Sequence, residues 1–182
     1  SDTIEIRRQI DFMRECQKKV KNILAICWGL QVAVTAAGGE VKKGYNGAHR
    51  GIAHEVVINS YGLKHILYKD KNQTFNTPAF NYDEVVTLPK DSILLSSNKV
   101  NKVMGLNFKT EVSDIWGIQY HPEITYEKMV TLINFRKDKL RQNKSFTNEE
   151  DMNSHIQIIE DEIKVSKKDL RMRELRNWLN FI

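Results

Sequence analysis

The sequence predicts an α/β domain followed by a helical C-terminal extension. Three observations carry that prediction. A short apolar run passes abruptly into a helix-like segment near residue 27; the middle of the chain is a series of short β-prone runs; helical spacing returns after residue 126. The 182 residues, 41% hydrophobic and 28% charged, fit one good-sized globular domain with an appendage and exclude wholesale disorder.

Taken in order, Ile6, Ile10, Met13, Cys16 and Val20 recur at helical spacing with charged residues between them, which predicts an opening helix. Cys16 lies on that stripe and reads as core filling. The run Asn22-Ile23-Leu24-Ala25-Ile26 fits a strand buried on both faces. Residues 28–37 are helix-like and stop at Gly38-Gly39, a suitable helix end. Short β-prone runs follow at 54–59, 74–80, 92–97, 103–108 and 114–120, separated by Asn, Gly, Pro and Asp punctuation. Residues 126–140 return to helical spacing, and a polar stretch at 142–151 leads into two more helix-like segments, 152–165 and 167–182. Trp178, Leu179 and Ile182 give the last segment its expected apolar face. The boundary between domain and extension therefore falls at 1–141 and 142–182.

Composition removes several function classes. The longest apolar runs fall far short of the roughly 20 residues that span a bilayer, so no membrane partner is expected. The opening Ser-Asp-Thr-Ile-Glu lacks the basic, apolar and small-residue parts of a signal peptide. Two cysteines are too few for a disulfide scaffold, so a reducing, cytoplasmic setting is the default. The net charge of +5 comes from lysines and arginines mostly interleaved with acids, which reads as solvated helix faces, and no nucleic-acid partner is expected. There is no P-loop.

The chemistry concentrates at two places. In Ala25-Ile26-Cys27-Trp28-Gly29 a buried strand ends on a cysteine, enters a helix directly, and has small residues two positions to either side. That is the layout of a nucleophile elbow, whose small neighbours let the flanking chain approach closely. It sets the sulfur at a helix N-terminus and points the Trp28 amide at a developing oxyanion. In Gly117-Ile118-Gln119-Tyr120-His121-Pro122-Glu123 a β-prone run delivers a histidine, and a carboxylate follows two residues later. Positions i and i+2 of an extended chain point the same way, so Glu123 can reach and orient the His121 imidazole.

Together these segments resemble the class I glutamine amidotransferases. Cys27-Trp28-Gly29-Leu30-Gln31 with Gly38-Gly39-Glu40-Val41 resembles that family's cysteine loop. Gly117 through Glu123 resembles its Gly-x-Gln-x-His-Pro-Glu block, and Asp83-Glu84-Val85-Val86-Thr87-Leu88-Pro89 resembles the segment after its substrate loop. More narrowly, Tyr120-His121-Pro122-Glu123, Phe135-Arg136-Lys137-Asp138 and Arg176-Asn177-Trp178 are similar to stand-alone, GMP-synthase-like members. The resemblance implies a flavodoxin-like open sheet with flanking helices. It implies Cys27 as nucleophile, His121 as general base and acid, Glu123 as its orienting carboxylate, and glutamine as substrate. Trp28, Gly29 and Gln31, with lower specificity Asn81 and Tyr82, would serve the oxyanion and the substrate. No cofactor and no metal are implied, and the ammonia would pass to a partner synthetase.

Departures from the family pattern are specific. Ala25 stands where the family usually has Gly, and Phe80-Asn81-Tyr82-Asp83 stands where it usually has a Ser-His-x-Asp loop. No Gly-Gly-Pro loop, the usual second oxyanion donor, precedes Ile23, so the first strands of the family fold are expected to lie upstream of this chain. His49 and His54 match no zinc spacing, and His65 and His155 read as surface residues. Two alternatives stay open: a γ-glutamyl hydrolase with the same Cys-His-Glu set, and a catalytically silent regulatory relative.

Overall fold

The computed structural model describes residues 3–182. Helix α1 (Ile4–Lys19) is capped by the Thr3 hydroxyl, which accepts from the Ile6 amide, and carries Lys18 and Lys19 in its last turn. Strand β1 (Asn22–Ile26) follows, then Cys27 and helix α2 (Trp28–Ala36). The strand and both helices lie within a residue or two of where spacing placed them.

The described residues form ten strands. β1 pairs parallel with β10 (Asp114–Ile118), and from there the sheet runs antiparallel through β9 (Gly105–Lys109), β8 (Ile93–Ser97), β4 (Ala53–Ile58) and β5 (Thr74–Thr77). Two small ribbons complete the set. One joins β2 (Glu40–Lys43) to β7 (Asp83–Thr87), the other β3 (His49–Arg50) to β6 (Phe80–Asn81). Sequence spacing did not predict β2, β3 or β7. They are short, and β2 carries Lys42 and Lys43 in place of an apolar alternation.

The sheet's two faces read directly from side-chain alternation along β10. Ile115 joins Ala25, Leu30, Ala33, Val34, Leu106 and Phe108 under α2. Trp116, Ile118 and Tyr120 join Val56, Ile58, Leu67 and Leu95 on the opposite face. Gly117 lets α2 approach: a Cβ there would stand 2.3 Å from Leu30 Cδ1.

The helical spacing at 126–140 resolves into α3 (Tyr126–Phe135) and α4 (Lys137–Gln142), with a break at Arg136. α5 (Glu149–Val165) packs on α3 through Ile133, Met152 and Ile159. α6 (Lys168–Arg171) and α7 (Arg173–Phe181) then close the second face of the sheet. Phe181 lies against Trp116 at 4.5 Å between ring centroids.

Two expected faces are corrected. On α7, Leu179 and Ile182 are exposed, and the face toward the sheet is Glu174, Asn177, Trp178 and Phe181, spaced i, i+3, i+4 and i+7, with Phe181 still 40% exposed where it covers Trp116. Two of those four are polar, so an apolar pattern could not reveal the face. On α1, Val20 is exposed and Gln17 is buried instead, its amide donating to the Ala33 carbonyl at 2.9 Å.

Candidate active site

Cys27 is the residue where β1 becomes α2. Its amide continues the sheet by donating to the Ile118 carbonyl at 2.7 Å, and its own carbonyl accepts the first α2 hydrogen bond from Gln31 at 3.2 Å. Serving both elements at once forces φ to 50° and ψ to −106°, a conformation that costs about 1–3 kcal/mol for a side-chain-bearing residue. The amides of Trp28 and Gly29 fall in the first turn, where no intrahelical acceptor exists, and so remain free to hold a negative oxygen.

The smallness of Gly29 needs a different account from the one its position in the elbow implied. A Cβ at Gly29 meets no described atom within 4 Å. The close approach is made by Gly117 on the neighbouring strand, a residue that sequence reading placed in the motif without a role.

The sulfur is surrounded by three groups. Gln119 Nε2 donates to it at 3.6 Å, the Phe80 carbonyl accepts from it at 3.9 Å, and the His121 imidazole faces it. Gln119 is itself fixed, since its Oε1 accepts from Gln31 Nε2 at 3.2 Å while the same Gln31 nitrogen donates to the Asp83 carbonyl at 3.0 Å. Gln31 thus acts on the cysteine through Gln119, a contact that spacing could not show.

His121 is held at its backbone by donation to the Pro78 carbonyl at 2.8 Å. Its Nδ1 donates to Glu123 Oε1 at 2.7 Å, leaving Nε2 for the sulfur. Burial pulls the imidazole pKa down, but hydrogen bonds and charge from Cys27 and Glu123 outweigh it and raise the group to about 9. The arrangement therefore favours an imidazolium beside sulfur across neutral pH.

The structure brings Cys27, His121, Glu123 and the Trp28 and Gly29 amides together. The side chains of Asn81 and Tyr82 leave in other directions. Asn81 is buried, with Oδ1 accepting from His49 Nδ1 at 2.9 Å and Nδ2 donating to the Asp83 carbonyl at 3.0 Å. Tyr82 reaches Ser145 Oγ at 3.0 Å. Trp28 is 44% exposed, its indole N–H on Gln9 Oε1. Trp28, Gln31 and Asp83 line a cleft of about 390 Å³ beneath α1.

The remaining histidines are more engaged than their spacing implied. His49 is buried and held low by desolvation, with Asn98 Nδ2 donating to its Nε2 at 3.0 Å. His65 is half-buried against Trp116, and His155 donates from Nε2 to the Arg50 carbonyl, so neither is a free surface residue. Among the described residues no three His, Cys, Asp or Glu side chains stand together as metal ligands.

Comparison with known proteins gives the family. A γ-glutamyl-L-1-hydroxyisopropylamide hydrolase of a Pseudomonas species is 33% identical over 121 residues, covering 65% of this chain and 41% of that protein. A glutamine-hydrolysing GMP synthase subunit from Methanoculleus marisnigri is 29% identical over 104 residues, covering 57% and 53%. The chain thus spans about half, or less, of the length of these relatives. A glutamine amidotransferase structure from Thermotoga maritima superposes with a TM-score of 0.70 at 21% identity, over 97% of this chain and 68% of that one, and shares the fold. The family model for glutamine amidotransferase class-I matches residues 2–138, and the chain belongs to that family.

Proposed function

We propose that the chain hydrolyses the side-chain amide of glutamine through a thioester on Cys27. The observation that supports this most is Cys27, held at φ 50° facing an imidazole whose far nitrogen is fixed by Glu123. The Cys27 thiolate attacks the amide carbon, and the tetrahedral oxyanion is held by the Trp28 amide, with Gly29 beside it. His121, as imidazolium, gives its proton to the departing nitrogen and ammonia leaves. Water then attacks the thioester, His121 takes the water proton, and collapse frees glutamate and the thiolate. Glu123 keeps Nδ1 protonated and offsets the imidazolium charge through both halves.

The ammonia passes to a partner synthetase, a reading supported by relatives named as the A subunit of a glutamine-hydrolysing GMP synthase, and the reaction's dependence on a free thiol fits a reducing compartment. The deciding assay is glutamate release from glutamine by the full chain and by Cys27→Ala. Equal rates for the two forms would sink the proposal.

A second reading keeps the chemistry and changes the leaving group. The relative at 33% identity is named for hydrolysis of a γ-glutamyl N-alkyl amide, and Asn81-Tyr82 replace the usual substrate-loop residues. Under that reading kcat/KM for a γ-glutamyl alkylamide exceeds that for glutamine by about tenfold or more. A kcat/KM favouring glutamine would exclude it.

A further inference from the structure

We infer that α6 and α7 form a positioning clamp on the loop that carries His121 and Glu123, with Arg171 and Glu174 as its two grips. This rests on the proposed roles of His121 and Glu123. The loop runs from Gln119 to Thr125, between β10 and α3, and residues that alternate with the His–Glu pair are held from the C-terminal segment. The Arg171 guanidinium donates from Nη1 to the Pro122 carbonyl and, at 2.9 Å, to the Ile124 carbonyl. The Tyr120 hydroxyl donates to Glu174 Oε1 at 2.6 Å. Positions 120, 122 and 124 are therefore tied from the C-terminal segment, while His121 faces the sulfur and Glu123 holds its far nitrogen.

The second grip is itself fully buried. Glu174 is 0% exposed, and Lys71 Nζ, on a side chain 3% exposed, meets its Oε2 at 3.0 Å. Lys71 also donates to the Leu170 carbonyl at 2.7 Å and lies 4.3 Å over the Phe75 ring. The Tyr68 hydroxyl lies 3.1 Å from that of Tyr120, whose single proton goes to Glu174, and 2.7 Å from Ser96 Oγ. Asn177 pins α7 to the sheet side by donating to the Leu67 and Lys69 carbonyls. Replacing a buried ion pair by apolar residues of similar volume is often neutral or stabilising, so packing alone does not call for one here. What the pair adds is direction: a carboxylate fixed in place to receive the Tyr120 hydroxyl, next to His121. Residues 142–182 are then part of the working site rather than a separate appendage.

The test uses the full chain and four variants: Arg171→Ala, Arg171→Lys, Tyr120→Phe and, as control, Arg176→Ala. Arg176 pairs with exposed Asp169 in the same segment. Two readouts are taken, steady-state glutaminase kinetics and an NMR titration of the His121 ring without substrate. Arg171→Ala should lower kcat about tenfold with KM within about twofold, because a loop misplaced by a fraction of an ångström loses reacting geometry more than binding. Its His121 midpoint should fall by about one pH unit from about 9 as the Glu123 contact loosens. Arg171→Lys should recover most of both, Tyr120→Phe should lose about threefold in kcat, and Arg176→Ala should match the unsubstituted chain. Tyr120→Phe leaves the Lys71–Glu174 pair intact and decides the matter if Arg171→Ala does not fold. A His121 midpoint and kcat unchanged in folded Arg171→Ala and Tyr120→Phe would overturn the clamp. Absence of Cys27-dependent glutaminase would instead overturn the proposed function, and the substrate-free titration would still decide the clamp.

Discussion

On the histidine side of the site, the Tyr120 hydroxyl donates to buried Glu174 of α7, and the carbonyls of Pro122 and Ile124 accept from Arg171 of α6. On the cysteine side, Trp28 is 44% exposed, and α1, which lies over it, buries only Gln17. The contrast follows from where each reactive atom gets its direction. Cys27 is aimed by backbone, through φ 50° and the Ile118 carbonyl, so its direction does not depend on the exposed Trp28 side chain beside it. His121 is aimed by a side chain, Glu123, on a loop whose neighbouring residues are tied to α6 and α7. The aim of the first half is set at one strand-to-helix junction, local in sequence, whereas the second is assembled over fifty residues.

Substitution of the sulfur tests the local half and carries the largest effect. Cys27→Ala should reduce glutamate release by about 10⁴-fold or more, as removal of a nucleophile does, with little change in stability. Cys27→Gly should be equally inactive yet more stable than Cys27→Ala by about 1 kcal/mol, because glycine adopts φ 50° without strain. Thermal melts of the two variants check this, and equal melting temperatures would mean that the elbow stores no strain.

The assembled half is tested by Glu123→Gln, expected to cost about 10²-fold in kcat. The pH profile is more diagnostic. Glu123 helps raise His121 to about 9, so activity that needs the imidazolium should fall on an alkaline limb near pH 9. In Glu123→Gln the carboxylate's charge is gone while burial and the Cys27 contact remain, and the limb moves to lower pH. Linkage gives the matching stability effect. A pKa raised in the folded state contributes stability fully present below about 6.5, the unfolded value. That contribution is lost as pH rises through about 9. Denaturant midpoints should show this loss in the unsubstituted chain and less of it in Glu123→Gln.

How far each half could be read from sequence follows the same division. Cys27, its strand and its helix were legible because they are contiguous, and so was the i, i+2 relation of His121 to Glu123. Gln119 on the sulfur, Gly117 under Leu30, and Arg171 and Glu174 behind the loop were not, because each matters only through a partner remote in the chain. The buried face of α7 escaped for a physical reason. A helix that packs through Glu174 and Asn177 looks, by hydrophobic spacing, as though those positions face water. Likewise β2, β3 and β7 form two-stranded ribbons without the apolar alternation that marks a half-buried strand.

Gly117→Ala moves the comparison to packing between the halves. Its new methyl would stand 2.3 Å from Leu30 Cδ1 and 3.3 Å from Leu30 Cγ, so α2 or the Leu30 rotamer has to shift. Overpacking of this kind costs about 1–3 kcal/mol. Gly29→Ala, with nothing described within 4 Å, should cost well under half as much. Chemical denaturation of the two variants side by side would reverse the assignment of the close approach if Gly29→Ala proved the worse.

The smallest effect is expected at Trp28, and it separates the role of a side chain from that of its own backbone. Trp28→Phe removes the indole N–H that meets Gln9 but keeps the amide at the start of α2. Both partners are exposed, so the lost hydrogen bond is replaced by water and stability should change by no more than about 0.5 kcal/mol. The oxyanion is held by the amide, which is unchanged, so kcat should stay within about twofold of the unsubstituted value while KM absorbs any loss. A fall in kcat approaching that of Glu123→Gln would show that the cysteine side also relies on side-chain placement, and the distinction between a backbone-aimed sulfur and a side-chain-aimed imidazole would no longer hold.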